Sequence, residues 1–382
     1  MVRKSLFLAA FTLFMLTLAV STVHAQSARQ VLLEEFSTAQ CGFCPDGDII
    51  AAQIVKDHPS VIWVTHHAGF GVDSMTAPGS ATVASAFVNF APSGVIDRTL
   101  FPLHVAPYAN LGTIRSKWDS LVTARLGDEQ FCDIRITSTY YAEVGQIDCT
   151  LEVEFSRIPS PGDFRLNLFV IEDSIVGMGK GYDQVNYFNG TPGHPYSGAG
   201  NPIIGYAHHN VVSAIPTGAW GVSGVIPATP ETGTVYRWNW SSGLHHILDR
   251  NNFGLYDLIS FVAFVSYHHE DPLQRRVVHA GQARITNVVL GTGEEMMLPR
   301  QLTLSAWPNP THDRITIEAA LLPSDAGMLL VTDAAGREMC RMSIHGGNPR
   351  QTLDTERFSG GMYFCRVITP RGVAGGTFLV LK

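Results

Sequence analysis

The hydrophobic pattern of the first part of the chain predicts strands and helices in alternation. The predicted elements are a strand over 31–36, a helix over 45–58, a strand over 61–64, a helix over 81–90, a strand over 94–98 and a helix over 111–126. The second strand is continuously apolar, which is typical of a central parallel strand covered on both faces. We therefore expect an α/β domain over residues 26–128.

The pattern changes to a period of two residues between about 131 and 285. Apolar residues that include Cys132 and Cys149 alternate there with polar ones. Such alternation is typical of strands with one buried face, so an all-β sandwich domain is predicted over residues 129–288. The apolar run Leu255–Tyr267 is shorter than a membrane span and is predicted to be a buried strand.

After a predicted linker at 289–301, short strands separated by turns make up the rest of the chain. Trp307-Pro308-Asn309-Pro310 opens this region and an apolar strand over 378–382 closes it. We expect residues 302–382 to form a small C-terminal all-β sandwich.

This last region resembles the type A sorting domain of the type IX secretion system. The resemblance lies in the Pro-Asn-Pro opening, the Asp-x-x-Gly turn at 333–336, the Gly-x-Tyr segment ending at Tyr363 and the basic Lys382. It implies a Bacteroidetes-type envelope, the type IX machinery as a partner, and passage across the outer membrane. The alternative is a generic β-sandwich binding module, because a fold does not fix a function.

The first 25 residues have the pattern of a signal peptide. Arg3 and Lys4 precede an apolar run over 6–20, and Val23-His24-Ala25 fits a cleavage site with small residues. The run is shorter than the roughly 20 residues of a membrane span, which disfavours an uncleaved anchor. Residues 1–25 are therefore expected to be removed, and no membrane-spanning segment is expected in the mature chain.

Composition and charge disfavour several classes of function. Among 382 residues, 26 Lys and Arg stand against 33 Asp and Glu, with no basic block, so no nucleic-acid partner is expected. The chain has neither a Gly-x-Ser-x-Gly sequence nor a phosphate-binding Gly-Lys-Ser sequence, which leaves hydrolase and NTPase activities without support.

Candidate redox chemistry lies directly after the first predicted strand, in Cys41-Gly42-Phe43-Cys44. A thiolate is the nucleophile of disulfide exchange, and a helix N-terminus stabilises it through free N–H groups and the helix dipole. Cys41 is predicted to be the attacking, more exposed thiol and Cys44 the resolving one. The negative charges of Asp46 and Asp48 in the same turn interact favourably with the helix dipole but repel a neighbouring thiolate.

The order of the elements and the position of the cysteines resemble thioredoxin. The resemblance implies a buried acid six residues before the first cysteine, held here by Glu35, which would exchange a proton with Cys44. It also implies a cis-proline facing the disulfide, for which Pro92 is the candidate. Gln40 departs from the aromatic residue that many thioredoxins have there. Gly42-Phe43 resembles the Gly-Tyr of periplasmic isomerases, which favours an oxidant or isomerase over a reductant.

Over residues 30 to about 290 the chain resembles the twenty-eight-kilodalton outer-membrane protein family of Bacteroidetes, a thioredoxin-like family. The resembling segments are Val31 to Asp46, Pro92 to Arg98, Leu168 to Asp173, Tyr206 to Gly221 and Phe261 to Val265. The family implies a surface or outer-membrane location and no firmly assigned reaction. The resemblance therefore bears on fold and compartment more than on activity.

The pairing of the other four cysteines is left open by the sequence. A hairpin turning at 144–146 would place Cys132 opposite about position 158, and Cys149 about 30 Å away along the strand, beyond disulfide reach. Buried thiols or a non-local partner are therefore favoured over a bridge between them. Cys340 and Cys365 lie on predicted strands of the last domain and could form a disulfide.

Histidine pairs and a glycine-rich stretch are further candidates for binding. The pairs are His66-His67, His208-His209, His245-His246 and His268-His269. Adjacent side chains of a strand point to opposite faces, so one pair cannot chelate an ion, and no metal or other cofactor is predicted. The stretch 179–205, rich in Gly, Pro and Asn, is predicted to be a long surface loop that could form a binding edge.

These features predict an exported protein, secreted or held at the cell surface or outer membrane. Its predicted activity is that of a thiol–disulfide oxidoreductase or isomerase that acts on protein thiols and disulfides through Cys41 and Cys44. If that disulfide is static, the alternative is a non-enzymatic surface binding or adhesion protein whose sandwich and loop 179–205 carry the function.

Overall fold

A computed structural model gives the fold for most of the chain. The residues it describes are 29–102, 110–141, 145–243, 258–289, 295–297, 304–319, 321, 326–333, 337–345, 349–369 and 372–382. The predicted signal peptide, the turn residues 334–336 and His245-His246 lie outside the described residues.

The described residues form mainly strands, together with three α-helices. The strands are β1 (Val31–Ser37), β2 (Val61–His67), β3 (Ser93–Ile96), β4 (Cys132–Tyr141), β5 (Gln146–Phe155), β6 (Asp163–Glu172), β7 (Val211–Ala214), β8 (Val235–Gly243), β9 (Ile259–His268), β10 (Val277–Arg284), β11 (Asn287–Val289), β12 (Glu295–Met297), β13 (Leu304–Trp307), β14 (Arg314–Ala319), β15 (Ala326–Asp333), β16 (Glu338–His345), β17 (Arg350–Asp354), β18 (Gly361–Thr369) and β19 (Gly372–Val380). The helices are α1 (Cys44–Asp57), α2 (Ser80–Phe87) and α3 (Trp118–Leu126), and short 3-10 turns lie at Arg115–Lys117 and Pro272–Gln274.

Seven strands form the largest sheet, in the order β10-β9-β6-β7-β2-β1-β3. Strand β1 is parallel to β2 and antiparallel to β3, and β2 meets β7 through the pairing of Thr65 with Val211. Every residue of β1, β2 and β3 is buried. The continuously apolar Val61–Val64 is thus a central strand with a parallel neighbour on each side, as predicted.

Strands from both sides of the predicted boundary at residue 128 share this sheet. β1, β2 and β3 come from the predicted α/β domain, whereas β6, β7, β9 and β10 come from the predicted sandwich domain. Backbone hydrogen bonds therefore join the two regions, and the division into 26–128, 129–288, 289–301 and 302–382 stays a prediction.

Helices cover both faces of the sheet at its β1 end. Val31 packs with Trp118 of α3 and with apolar residues of α1, whereas Phe36 packs against Phe87 of α2. Because strand side chains alternate between faces, this arrangement directs Glu35 to the face of α1, the helix that carries Cys44.

The third helix is shorter than the predicted 111–126. Its α-helical part begins at Trp118, because Thr113 is held in an extended bridge with Gly94 at the edge of β3. Both the amide and the hydroxyl of Thr113 donate to the Gly94 carbonyl, at 2.9 and 2.7 Å. The backbone at Ile114 stays extended and its side chain is exposed, so Ile114 lies outside the helix.

A five-stranded sheet, β12-β11-β4-β5-β8, packs against the seven-stranded sheet in the middle of the chain. Leu151 and Val153 of β5 and Leu166 and Leu168 of β6 are among the fully buried residues between them. The predicted all-β, sandwich-like arrangement of this part is confirmed.

Two smaller sheets, β13-β14-β17 and β16-β15-β18-β19, enclose a core of their own in the C-terminal part. Ile315 and Ile317 of β14 and Val331 of β15 are fully buried in it. The last part of the chain is therefore β-structure, as its pattern predicts. Of the helices that the structure describes, none is both long enough and apolar enough to cross a membrane.

Candidate disulfide site

Cys41 and Cys44 form a disulfide at the junction between β1 and α1. Their α-carbons lie 5.4 Å apart. A turn precedes the helix, in which the amide of Cys41 donates to the Thr38 carbonyl at 3.0 Å and the amide of Cys44 donates to the Cys41 carbonyl at 3.2 Å. Pro45 follows in the first turn of the helix, where a missing N–H costs no hydrogen bond. The Cys-x-x-Cys sequence thus lies at a helix N-terminus, as predicted.

Both sulfur-bearing side chains are nearly inaccessible. Cys41 is 4% exposed and Cys44 is fully buried. Cys41 is thus the more exposed of the two, as predicted, but its exposed fraction is small. Phe43 between them is 47% exposed. An attacking thiol therefore has little access to the disulfide in this conformation.

The loop over 179–205 covers the Cys-x-x-Cys turn. Nε2 of Gln184 donates to the Cys41 carbonyl at 2.8 Å, the amide of Val185 donates to the Ala39 carbonyl at 2.8 Å, and the amide of Tyr187 donates to the Gly42 carbonyl at 3.0 Å. The sequence predicts a surface loop here, but it gives no sign that the loop binds the backbone of the redox motif.

Aromatic rings of the same loop pack around the exposed Phe43. The rings of Tyr187 and Phe188 lie 5.1 and 5.9 Å from it, both edge to face, and Phe188 stacks on His194 at 4.0 Å. A Cβ atom at Gly42 would collide with the Tyr187 ring. Glycine at this position therefore permits the close contact between loop and motif.

Glu35 is fully buried on the α1 side of the sheet. Its Oε2 accepts a hydrogen bond of 2.9 Å from Nε1 of Trp63, whereas its Oε1 has no donor among the described residues. Burial and the nearby charge of Asp48 raise the pKa of Glu35 well above its usual value. An uncharged carboxyl with a proton to give is the form that such an environment stabilises.

Asp48 lies in the same helix turn as the motif, four residues after Cys44, and only 9% of it is exposed. Its Oδ2 accepts a hydrogen bond from the hydroxyl of Tyr206. Burial raises the pKa of Asp48, although the Tyr206 hydroxyl and the nearby His209 and His67 favour its charged form. The sequence indicates Asp48 only as an acid of the first turn, and its spacing of four residues from Cys44 is the signal that could have revealed more.

Pro92 and Glu35 meet at Gly47 in the first turn of α1. A Cβ atom at Gly47 would collide with Oε1 of Glu35 and would lie 3.1 Å from Cβ of Pro92 and 3.4 Å from the ring of Trp118. The peptide bond between Ala91 and Pro92 is cis, as the thioredoxin resemblance implies. The structure thus brings Glu35 and Pro92 to the helix that begins at Cys44.

Asp46 faces away from this buried cluster. One of its oxygens accepts from Nε of Arg115, and the other lies 3.3 Å from Nε2 of His194 in the covering loop. Asp46 is therefore a second contact between the helix and the loop, whereas Asp48 is directed to the interior.

Behind β1, on the opposite face of the sheet, Glu34 forms a buried ion pair that the sequence did not reveal. Nε and Nη2 of Arg98 donate to its two oxygens at 2.8 and 2.7 Å, and Nε2 of His66 lies 3.3 Å away. Burial would raise the pKa of Glu34, but the Arg98 charge and its hydrogen bonds hold it at about 2. The neighbouring residues Glu34 and Glu35 thus differ in protonation. The surroundings favour a charged carboxylate at Glu34 and a protonated carboxyl at Glu35.

Cys132 and Cys149 are free, buried thiols of the sandwich core, as favoured from the sequence. The predicted register was wrong, because β4 and β5 already pair at Tyr141 with Gln146, which places Cys132 opposite Phe155. Cys149 still lies about six residues from that position along β5, roughly 20 Å, so the distance argument holds.

The disulfide considered for Cys340 and Cys365 is absent, and both are free thiols. Each is paired with Val331 of β15, one from β16 and the other from β18. Two strand spacings separate them, about 10 Å, which exceeds the reach of a disulfide.

The histidines of the pairs His66-His67 and His208-His209 bond to different partners. His66 bonds to Ser80 at 2.9 Å, His67 to Asp73 at 2.7 Å, and His208 to the Tyr182 carbonyl at 2.7 Å. Nowhere in the described ranges do three or more His, Cys, Asp or Glu side chains gather as metal ligands.

Residues 305–376 match the family described as Secretion system C-terminal sorting domain. The predicted sorting domain is confirmed by this match. It indicates that the protein is exported through the type IX secretion machinery and is secreted or held at the cell surface.

Solved structures similar to this chain include HBP35 of Porphyromonas gingivalis, at 16% identity and a TM-score of 0.51. The likeness covers 93% of this chain and 98% of that one, and at this identity it bears on the fold alone. A domain of the outer membrane lipoprotein Omp28 from Porphyromonas gingivalis matches at 12% identity over 41% of this chain and 90% of its own. Its TM-score of 0.23 is too low to support an argument. No curated protein matches the chain in sequence.

Proposed function

We propose that this exported protein is a thiol–disulfide oxidoreductase or isomerase that acts on protein thiols and disulfides. The observation that carries the proposal is the Cys41–Cys44 disulfide at the N-terminus of α1, with the buried carboxyl of Glu35 against the first turn of that helix. Perturbed buried acids beside a nucleophile are typical of catalytic sites, and structural bridges do not require them.

A thioredoxin-like interpretation of the region from β1 to α3 supports this proposal. Strand β1 has β2 as a parallel neighbour and β3 as an antiparallel one, the cysteines follow β1, and Pro92 directly precedes β3. The same arrangement fits the resemblance to the thioredoxin-like outer-membrane family of Bacteroidetes.

Each residue has a role that follows from its position. Cys41, in the turn before the helix, is the sulfur that a substrate thiolate attacks, and the free N–H groups of α1 stabilise its thiolate after reduction. Cys44, inside the first turn, is the resolving thiol. Glu35 exchanges a proton with Cys44, and Pro92 lines the site next to Gly47.

Catalysis on a protein substrate requires the loop over 179–205 to move. With Cys41 only 4% exposed, the hydrogen bonds from Gln184, Val185 and Tyr187 must open before a substrate sulfur reaches it. The same burial favours a second candidate, a non-enzymatic surface binding protein in which this disulfide fastens the loop to the sheet.

The reduction potential of the Cys41–Cys44 disulfide separates the two functions. Structural disulfides of secreted proteins have potentials below about −300 mV, whereas catalytic ones are more oxidising. We expect a value well above about −300 mV for the full-length mature protein, measured against glutathione and dithiothreitol buffers. A value below that limit would leave the binding protein as the function.

Activity of cysteine variants provides a second test. Cys41→Ser is expected to abolish the reshuffling of a scrambled disulfide substrate and the reduction of insulin, because the attacked sulfur is gone. Cys340→Ser, which changes a thiol of the C-terminal sheet, is the matched control and should keep both activities. Equal activity of the two variants would rule out Cys41 as the nucleophile.

A further inference from the structure

A second carboxyl group lies beside Glu35 in the interior of the site. Asp48 follows Cys44 by four residues, so the two side chains occupy neighbouring positions on one face of α1. Oε1 of Glu35 lies against Gly47, the residue before Asp48, and the nearby charge of Asp48 raises the pKa of Glu35. Two neighbouring buried carboxylates repel each other when both are ionised, so this arrangement favours a proton on one of them.

The geometry gives the proton a defined place. Oε1 of Glu35 is buried and has no donor among the described residues, while Oε2 is occupied by Trp63. Asp48 accepts a hydrogen bond from the Tyr206 hydroxyl, which favours the charged form of Asp48. A proton on Oε1 of Glu35 relieves the repulsion between the two carboxyls and gives this buried oxygen a hydrogen to donate.

A line of hydroxyl groups connects the pair to the covering loop. The hydroxyls of Tyr206 and Tyr196 lie 3.4 Å apart, and Tyr196 is partly exposed in the loop over 179–205. Burial and the nearby Asp48 raise the pKa of Tyr206 well above its usual value, so it stays a donor. The interior acid thus has a polar route to the surface that passes through the loop.

Histidines are the titratable groups that face this pair from other segments in the described part of the chain. His67 of β2 and His209 of the segment before β7 act on Asp48 through their charge, and the ring of His208 lies 4.9 Å from that of Tyr206. Burial lowers the pKa of His208 to about 3, so its ring is neutral around neutral pH. At the outer end of the tyrosine pair, Nδ1 of His194 accepts a 3.2 Å hydrogen bond from the amide of Tyr196.

We propose that Asp48 and Glu35 act as one unit that holds a single proton next to Cys44, and that Tyr206 and Tyr196 resupply this proton from the loop. The proposal rests on the oxidoreductase function proposed above and extends it, since it makes Asp48 and Tyr206 positioning residues for the proton transfer. It also ties the proton supply to the same loop that controls access to Cys41.

The proton balances the exchange step as follows. A substrate thiolate attacks Sγ of Cys41, the bond to Sγ of Cys44 breaks, and its electron pair leaves on Cys44 as a mixed disulfide forms on Cys41. Sγ of Cys44 takes the proton of the carboxyl pair and becomes a thiol, so the pair gains one negative charge. The pair regains a proton from water through the hydroxyls of Tyr206 and Tyr196.

Infrared spectroscopy of the oxidised full-length protein tests the shared proton without any redox reaction. The C=O band of a protonated carboxyl, assigned by ¹³C labelling of Glu or Asp, is followed as a function of pH. Asp48→Asn should move the pH midpoint at which this band is lost downward by one unit or more, because the repulsion that retains the proton is removed. Tyr206→Phe should move it upward, because the charged pair loses a donor. Asp57→Asn, at the exposed end of the same helix, should leave the midpoint unchanged.

Reduction of the disulfide by dithiothreitol over the same pH range links the proton to the cysteines. The pH at which the rate profile bends should shift in each variant, relative to wild type, in the same direction as the infrared midpoint. Circular dichroism confirms that each variant is folded.

The outcomes separate the two proposals. The shared proton has no role, and Asp48 is structural, if Asp48→Asn and Tyr206→Phe do not shift the infrared midpoint in opposite directions. The same conclusion follows if the inflection of the rate profile does not shift with the midpoint. If the disulfide resists reduction at every pH, the oxidoreductase function itself fails, while the infrared titration still reports on the pair.

Discussion

Nε2 of Gln184 donates a 2.8 Å hydrogen bond to the backbone carbonyl of Cys41, although the two residues are 143 positions apart in the sequence. Gln184 is 1% exposed and also reaches the carbonyls of Thr38 and Val185, at 3.4 and 3.0 Å. The Gln184 side chain is therefore one of the contacts that hold the loop over 179–205 against the redox motif.

Gln184→Ala is expected to make the Cys41–Cys44 disulfide easier to attack. Loss of the amide removes about 1 to 1.5 kcal/mol of hydrogen bonding, which corresponds to a roughly 10-fold faster reduction by dithiothreitol if loop opening limits access. The rate is measured by thiol trapping and mass spectrometry. Gln282→Ala, which changes an exposed glutamine bonded to Ser260, is the control. An unchanged rate in Gln184→Ala would show that the loop is not held by this side chain.

Glu34→Gln is expected to lower the free energy of unfolding by about 3 kcal/mol or more, because it leaves the Arg98 charge buried without its partner. Urea denaturation followed by circular dichroism measures the loss. Glu152→Gln, which weakens ion pairs with the exposed Arg135 and Arg237, should cost less than about 1 kcal/mol. A similar small loss in both variants would contradict the importance of the buried pair.

Stability is expected to rise with pH between about 3 and 6.5 because of His208. Burial lowers its pKa to about 3 in the folded chain, whereas the unfolded chain titrates near the usual value of 6.5. Within that window the unfolded state binds more protons, so stability is lost as the pH falls and is fully present above about 6.5. His208→Gln should flatten this dependence in urea denaturation series, whereas His345→Gln, at an exposed position of β16, should not. An identical slope in both variants would contradict the assignment.

Native thiol labelling is expected to distinguish Cys340 from the other free cysteines. Cys132 and Cys149 are buried in the sandwich core, and burial raises the pKa of the Cys149 thiol to about 12 and that of Cys365 to about 11. Iodoacetamide at pH 8 should therefore label the partly exposed Cys340 first, and the other three only after unfolding, as read by peptide mass spectrometry. Early labelling of Cys132 would contradict the buried position of this residue.

Deletion of residues 302–382 is expected to trap the protein in the periplasm of a bacterium with a type IX secretion system, because it removes the matched sorting domain. Fractionation with immunodetection measures the location. Full-length Cys41→Ser is the control and should still reach the surface or the medium. Surface location of the truncated chain would refute the role of this domain in export.

Local patterns in the sequence were sufficient for the elements around the site. The continuous apolar run of Val61–Val64, the helix after Pro45 and the alternation around Cys132 all depend on neighbours within a few residues, and each is found where it was predicted. The start of α3 was missed, because the bridge between Thr113 and Gly94 outweighs the helical pattern from Leu111 onward.

The sequence by itself determined the position of Cys41 and Cys44 at a helix N-terminus, and family resemblances implied the sorting domain and a buried acid at Glu35. The first depends on hydrophobic periodicity and the others on short motifs, and both are local properties of a chain. Only the tertiary structure decided that Asp48 meets Tyr206 and that Gln184 meets Cys41. Those contacts join segments about 150 residues apart, brought together because β7 pairs with β2 in one sheet, and no local pattern encodes that pairing.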